Sequence, residues 1–280
     1  MSSIPSAAAR VPWALTAALL GTAIAYPLVD GGARDAVSWT IVLLGSALTV
    51  LHAGLSRGWR TGATVAGLTV LASVVFESVG LATGFPYGSY TYSDTLGPTL
   101  LGVPFLVPLA WLMMVWPSWL LAARLVPGPR AGRVAVAASV FAAWDVVLDP
   151  QLVQAGYWTW AHPSPGLPGI DTVPLTNLAG WLLAGVVLMT ALDLLVAGQP
   201  AALDDHAPLV ALAWMVLGGA LAHAVWLDLP GSAVWGVVVS APVLVALALH
   251  HRRQVPPTST PAARGPSHDA QDPLQPGSGS

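Results

Sequence analysis

Eight apolar stretches, each close to the roughly 20 residues a helix needs to cross a bilayer, leave this chain few ways to fold outside a membrane. They lie near 11–29, 36–55, 62–83, 98–126, 132–150, 174–196, 207–228 and 230–250. Only 8% of the 280 residues are charged, against about 25% in a soluble domain. The expected fold class is all-α, a polytopic membrane bundle of about eight helices, with seven the competing count. The first stretch exceeds the roughly 7–15 apolar residues of a signal peptide and lacks a clear small-residue cleavage site, so a retained helix is expected. The fourth carries Pro98, Pro104, Pro108 and Pro117 and is expected to open with a short broken segment.

The basic residues suggest an orientation. The chain has no lysine, and its ten basic residues are all arginine. With the N-terminus cytoplasmic, nine arginines fall inside and only Arg34 outside, which the positive-inside rule favours. Both termini are then expected on the cytoplasmic side of the cell membrane. Residues 1–253 form the membrane domain, and 254–280, rich in Pro, Ser and Gly, are expected to be a disordered cytoplasmic tail. His250 and His251, beside Arg252 and Arg253, look like an interfacial anchor. A net charge of −3 argues against a nucleic-acid partner. The absence of cysteine excludes disulfides and thiolate chemistry.

The middle of the chain repeats itself. Residues 76–112 and 144–182 each open with an aromatic–acid pair, Phe76-Glu77 and Trp144-Asp145. Eleven residues after each acid stands a glycine, Gly88 or Gly156, opening a Gly-x-aromatic-Thr-aromatic run. Tyr90 and Tyr92 in one copy answer to Trp158 and Trp160 in the other. Both copies resume with Val-Pro and reach a tryptophan seven residues later, Trp111 or Trp181. Two helix–loop–helix units with both loops on one membrane face make a parallel repeat, with a pseudo-twofold axis along the membrane normal. Glu77 and Asp145 would then sit at equivalent depths, under two aromatic loops.

An ionisable group inside a membrane helix costs about 2.5–3.5 kcal/mol and is a functional candidate by default. Glu77 is one, its plainer reading being a buried carboxyl bonded to a neighbouring helix. Asp145 and Asp149, four residues apart, share a helical face and repel unless a proton is shared. Alternatively, Asp149 before Pro150 simply ends its helix. Alternate residues of an extended loop point the same way, so Tyr90 with Tyr92, and Trp158 with Trp160, are expected to face one cavity. Tyr87 belongs to the same loop, and Asn177 and Trp181 share a helical face at the same mouth. Many other tryptophans, such as Trp13 and Trp119, fit an interfacial belt. Gly80 and Gly84 read as a small-xxx-small packing pair. No histidine pair suggests a metal, and no nucleophile elbow, phosphate loop or dinucleotide fingerprint is present.

Buried carboxyls and aromatic faces without cofactor or metal suit protonation of an electron-rich alkene. A neutral acid donates the proton, aromatic quadrupoles stabilise the tertiary cation at about 2 kcal/mol each when desolvated, and a second carboxylate takes a proton from incoming water. The runs "FESVGLATGFPYGSYTYSDTLGPTLLGVPFLVPLAWLMM", "DVVLDPQLVQAGYWTW" and "GIDTVPLTNLAGWLL" resemble the carotenoid biosynthesis membrane-protein family, which includes carotenoid 1′,2′-hydratases and bisanhydrobacterioruberin hydratases. The resemblance is firmest over roughly residues 70–185. It implies addition of water across the terminal double bond of an acyclic carotenoid end, with a carotenoid, water and membrane lipids as partners. Association with other enzymes of the pathway is a further expectation. The residue roles come from the chemistry and not from the resemblance. Glu77 is expected to be the proton donor, although Asp145 competes for that role. Asp145 and Asp149 would position or deprotonate water. Tyr87, Tyr90, Tyr92, Trp158, Trp160 and Trp181 would bind the substrate, and Asn177 would hold water. A membrane carrier, a proton-coupled transporter and a non-catalytic pigment-binding subunit remain the alternatives.

Overall fold

The computed structural model describes residues 6–254. Eight helices are long and apolar enough to cross a membrane. They are α1 (Ser6–Ala25), α2 (Gly31–Arg57), α3 (Trp59–Thr83), α4 (Leu106–Leu125), α5 (Arg130–Gln154), α6 (Leu175–Val196), α7 (His206–Val225) and α8 (Pro230–Gln254). The sequence expectation of an all-α polytopic bundle therefore holds. Of the tail expected over 254–280, Gln254 ends α8; residues 255–280, and the side chains of His250 and His251, lie outside the described residues.

Helix α4 is the axis of the bundle. Its membrane window is 83% buried, against 22% for α1 and α8, so the other helices wrap it. Before it, the proline-bearing segment forms a tight hairpin, β2 (Thr99–Leu100) against β3 (Val103–Pro104), the broken start expected of the fourth stretch. Two prolines lie inside well-packed helices, where each removes an N–H from the ladder and frees a carbonyl one turn earlier. Neighbouring hydroxyls fill both vacancies. Thr49 on α2 reaches the Met113 carbonyl, freed by Pro117, at 3.4 Å. Ser232 on α8 donates to the Val146 carbonyl, freed by Pro150, at 2.8 Å. Such compensation lets α5 run through Pro150 to Gln154, so Asp149 lies within the helix and not at its end.

The repeat takes physical form in four helices. Helices α3 and α4 form one unit and α5 and α6 the other; α3 packs on α6 just as α5 packs on α4. The two loops meet as short antiparallel strands, β1 (Tyr90–Tyr92) and β4 (Trp158–Trp160), in the register Tyr90–Trp160, Thr91–Thr159 and Tyr92–Trp158. Exchanging the two copies maps this pairing onto itself, as a twofold axis through Thr91 and Thr159 requires. The matched tryptophans Trp111 and Trp181 also meet, with ring centroids 5.0 Å apart.

At the opposite end of the helices, ion pairs lock the bundle. Arg133 grips the buried Asp193 through two nitrogens at 2.6 and 2.8 Å, and Trp119 adds an indole N–H at 2.9 Å. Trp119 is thus buried and bonded there, and not a simple belt residue. Arg57 forks onto Asp205, with both bonds at 3.1 Å. His52 accepts from Trp116 on Nδ1 at 3.1 Å, leaving Nε2–H to donate to the Asp204 carbonyl at 2.9 Å.

Candidate active site

Beneath the β1–β4 ribbon lies a cavity of about 350 Å³, lined by α1 to α7 and both loops. Its wall is overwhelmingly apolar and aromatic. Glu77, Asp149, Asn177, Gln151 and several tyrosine hydroxyls are its main polar groups.

Glu77 comes from the last turns of α3, and the loop that follows folds back over it. The Tyr90 and Tyr92 hydroxyls both donate to one carboxyl oxygen, Oε2, at 2.5 and 2.7 Å. This leaves Oε1 for the cavity. Burial pushes both phenols well above their ordinary range. They therefore stay neutral donors. Gly80, one turn beyond Glu77, makes the fold-back possible. A methyl group there would stand 2.9 Å from both the Tyr87 ring and the Tyr90 hydroxyl. Gly84 ends the helix in the left-handed region at φ +77°. The small-xxx-small reading of this pair gives way to one glycine that seats tyrosines and one that terminates a helix. Gly180 on α6 receives the other edge of the same Tyr87 ring, so α3 and α6 pack through that tyrosine.

On the opposite side, Asp145 and Asp149 lie one turn apart on α5, both buried. The side-chain nitrogen of Asn177, on α6, donates to Asp145 Oδ2 at 2.7 Å and to Asp149 Oδ2 at 2.5 Å. Two carboxyls around one group demand its two N–H donors, which fixes the amide orientation. Only the Asn177 carbonyl remains free for water. Asp149 lines the large cavity, but Asp145 does not. It borders a separate space of about 20 Å³ between α5, α6 and the second loop, enough for one water. Its Oδ1 has no protein partner. The alignment that matched Glu77 with Asp145 thus places the second cavity-facing carboxyl one turn early.

The ribbon forms the roof. Tyr90 and Trp160 lie 5.9 Å apart and tilted, while Tyr92 and Trp158 lie 5.7 Å apart and perpendicular. Thr91 and Thr159 point outward and are exposed, the alternation expected of an extended run. Trp160 is anchored by its indole N–H to the Tyr87 carbonyl at 3.1 Å. Trp181 packs among Trp111, Phe141 and Trp144, with centroid distances of 5.0, 5.1 and 6.1 Å. The structure thus gathers Glu77, Asp149, Asn177, Tyr87, Tyr90, Tyr92, Trp158, Trp160 and Trp181 around one space and sets Asp145 just behind it.

Several lining residues were not singled out as site residues. Trp111 carried a signal, as the repeat partner of Trp181. Gln151 and Tyr157 follow the acids in the second loop unit but match no motif. Trp214 and Gly218 bound a π-helical turn in α7, a distortion frequent at functional sites that no local sequence pattern announced.

Fold and site define a polytopic membrane protein with a buried cavity faced by carboxyls and aromatic rings. Residues 37–249 match the carotenoid biosynthesis protein family, and the chain belongs to it. It is 38% identical over 138 residues to the bisanhydrobacterioruberin hydratase of Haloarcula japonica. That match covers 48% of this chain and 45% of the relative, so it spans less than half of that protein's length. No solved structure matches the chain.

Proposed function

We propose that the chain catalyses cofactor-independent hydration of the terminal 1′,2′ double bond of an acyclic carotenoid end group. The observation that carries this is the placing of Glu77 and Asp149, on helices of opposite repeats, around one apolar and aromatic cavity. The hydratase relative and the family support the same reaction class.

In this reading the end group lies under the β1–β4 ribbon with its double bond against Glu77. The proton on Oε1 passes to the less substituted alkene carbon, and the π pair becomes the new C–H bond. Positive charge then develops on the tertiary carbon, close to the faces of Tyr90, Trp158 and Trp160, each worth about 2 kcal/mol or more when desolvated. As Glu77 becomes a carboxylate, the two phenols on Oε2 stabilise it, charge-assisted bonds being roughly twice as strong as neutral ones. Water held near Asp149 and the Asn177 carbonyl adds its oxygen to the cation and gives its proton to the Asp145–Asp149 pair. Returning that proton to Glu77 closes the cycle, and the net change is one water added per double bond. Each positioned acid or base contributes about 10²–10⁴-fold in rate.

In this reading both termini are cytoplasmic and the ribbon faces outward, which the arginine pattern supports. The test is pigment analysis in a bacterial host that accumulates acyclic-ended carotenoids, with the wild-type chain and with Glu77→Gln. The reading expects hydrated pigment with the first and none with the second.

A further inference from the structure

The cavity is not closed on every side. One wall is made by the end of α1 and the short turn after it, Tyr26–Leu28, and the facing wall by the outer half of α7. Ile24 and Leu28 on one side are 52% and 62% exposed, and Leu221 and Trp226 on the other are both 53% exposed, yet all four line the cavity. Glu77, in the same cavity, is 4% exposed. The opening therefore runs from the carboxyl to the lipid-facing surface between apolar side chains. Its cause is visible in the helices. Thr16 ties α1 to the inner half of α7 through the Ala207 carbonyl at 3.1 Å. The π-helical turn at Trp214–Gly218 interrupts α7 beyond that point, and α1 makes no extended contact with its outer half, Gly219–Val225.

A volume of about 350 Å³ equals a sphere about 9 Å across, at the small end of ligand pockets. It holds an end group. It cannot hold a rigid polyene comparable in length with the bilayer core, roughly 30 Å. We infer that the gap between α1 and the outer half of α7 is a lateral portal, through which the polyene chain of the substrate extends into the bilayer while only its end group reaches Glu77. The identity of the occupant rests on the hydratase reading; the opening itself does not.

The cysteine-free chain allows a reversible block. Leu221→Cys and, separately, Ile24→Cys are labelled with a bulky aromatic methanethiosulfonate. Leu71→Cys on α3, 64% exposed in the parent and away from the cavity, serves as the control. Hydrated product and pigment retained by the purified protein are both measured. Labelling either portal position is expected to lower both at least tenfold, reductant to restore them, and the control label to change neither. Full pigment retention and turnover with both portal positions labelled would overturn the portal. Loss that reductant does not reverse, or that the control label shares, would count against it equally. Unlabelled protein that retains pigment without converting it would strike the hydratase reading alone, and pigment retention would still decide the portal.

Discussion

Tyr92 and Trp158 stand opposite one another in the ribbon that joins the two repeats, their rings perpendicular and their centroids 5.7 Å apart. The Tyr92 hydroxyl reaches Glu77 at 2.7 Å, while Trp158 shares the cavity wall with Asp149. One cross-strand pair thus ties the acid of the first repeat to the carboxyl pair of the second. The geometry of that junction governs what each substitution should do.

Tyr92→Phe keeps the ring and its contact with Trp158 but removes one donor from Glu77 Oε2. A hydrogen bond to a charged group is worth about 1.5–3 kcal/mol. Because the proposed proton transfer leaves Glu77 charged, the loss should fall on turnover. Hydration should drop roughly 10- to 100-fold, with pigment retention unchanged. An equal fall in both would assign Tyr92 to binding instead.

Asn177→Leu removes the clamp between Asp145 and Asp149. Two buried carboxyls would each lose a donor, at about 1–3 kcal/mol per unsatisfied group. Thermal unfolding in detergent should move to lower temperature, and hydration should be largely lost. Asn177→Asp should be worse, since it adds a third carboxyl to the cluster. Wild-type stability in both variants would contradict the clamp.

Gly80→Ala weighs two known effects against each other. Within a helix the change should gain about 1 kcal/mol of propensity. The added methyl would stand 2.9 Å from the Tyr90 hydroxyl and the Tyr87 ring, and overpacking of this kind costs about 1–3 kcal/mol. Overall stability should therefore change little while hydration falls at least tenfold, because Tyr90 must leave Glu77. Activity assays beside melting curves separate the two effects.

The tyrosines should resist alkaline titration. Burial, and then its bond to Asp35, push the Tyr157 hydroxyl up to about 12, and burial pushes Tyr87, Tyr90 and Tyr92 well above the usual range. A folded-state value above the unfolded one of about 10 means that the stabilisation is fully present below pH 10. It is lost as pH rises from there toward 12. Absorbance of tyrosinate should therefore show none of Tyr87, Tyr90, Tyr92 and Tyr157 ionising near pH 10 in the folded protein. Tyr157→Phe should remove a step near pH 12. Early titration of several tyrosines would mean that the ribbon is open to water.

How far the sequence carried depended on how local each signal was. The eight spans follow from length and hydropathy, and the ribbon was foreshadowed by the matched Gly-x-aromatic-Thr-aromatic runs. The assignment of Asp149 to the cavity was not legible. Sequence alignment equates Glu77 with Asp145, but a single turn of α5 decides which of two buried carboxyls meets the open space, and that turn depends on how α5 continues past Pro150. The passage through Pro150 depends on Ser232, 86 residues from the carbonyl it caps. Gly80 was misread for a similar reason, since the ring it accommodates belongs to a loop whose return over α3 has no local mark. The interruption of α7 at Trp214–Gly218 has no counterpart in the hydrophobic pattern at all.

The most direct test is to express the chain and its Glu77→Gln variant in a host that makes acyclic-ended carotenoids, and to weigh the extracted pigments. The account predicts pigments heavier by one water per converted end with the wild type. It predicts none with the variant, although the variant remains in the membrane and retains pigment. Hydrated pigment from the variant at the wild-type level would contradict Glu77 as the proton donor. Unchanged pigment from the wild type, with several end-group types on offer and the protein confirmed in the membrane, would contradict the hydratase itself and leave a carrier or a pigment-binding protein.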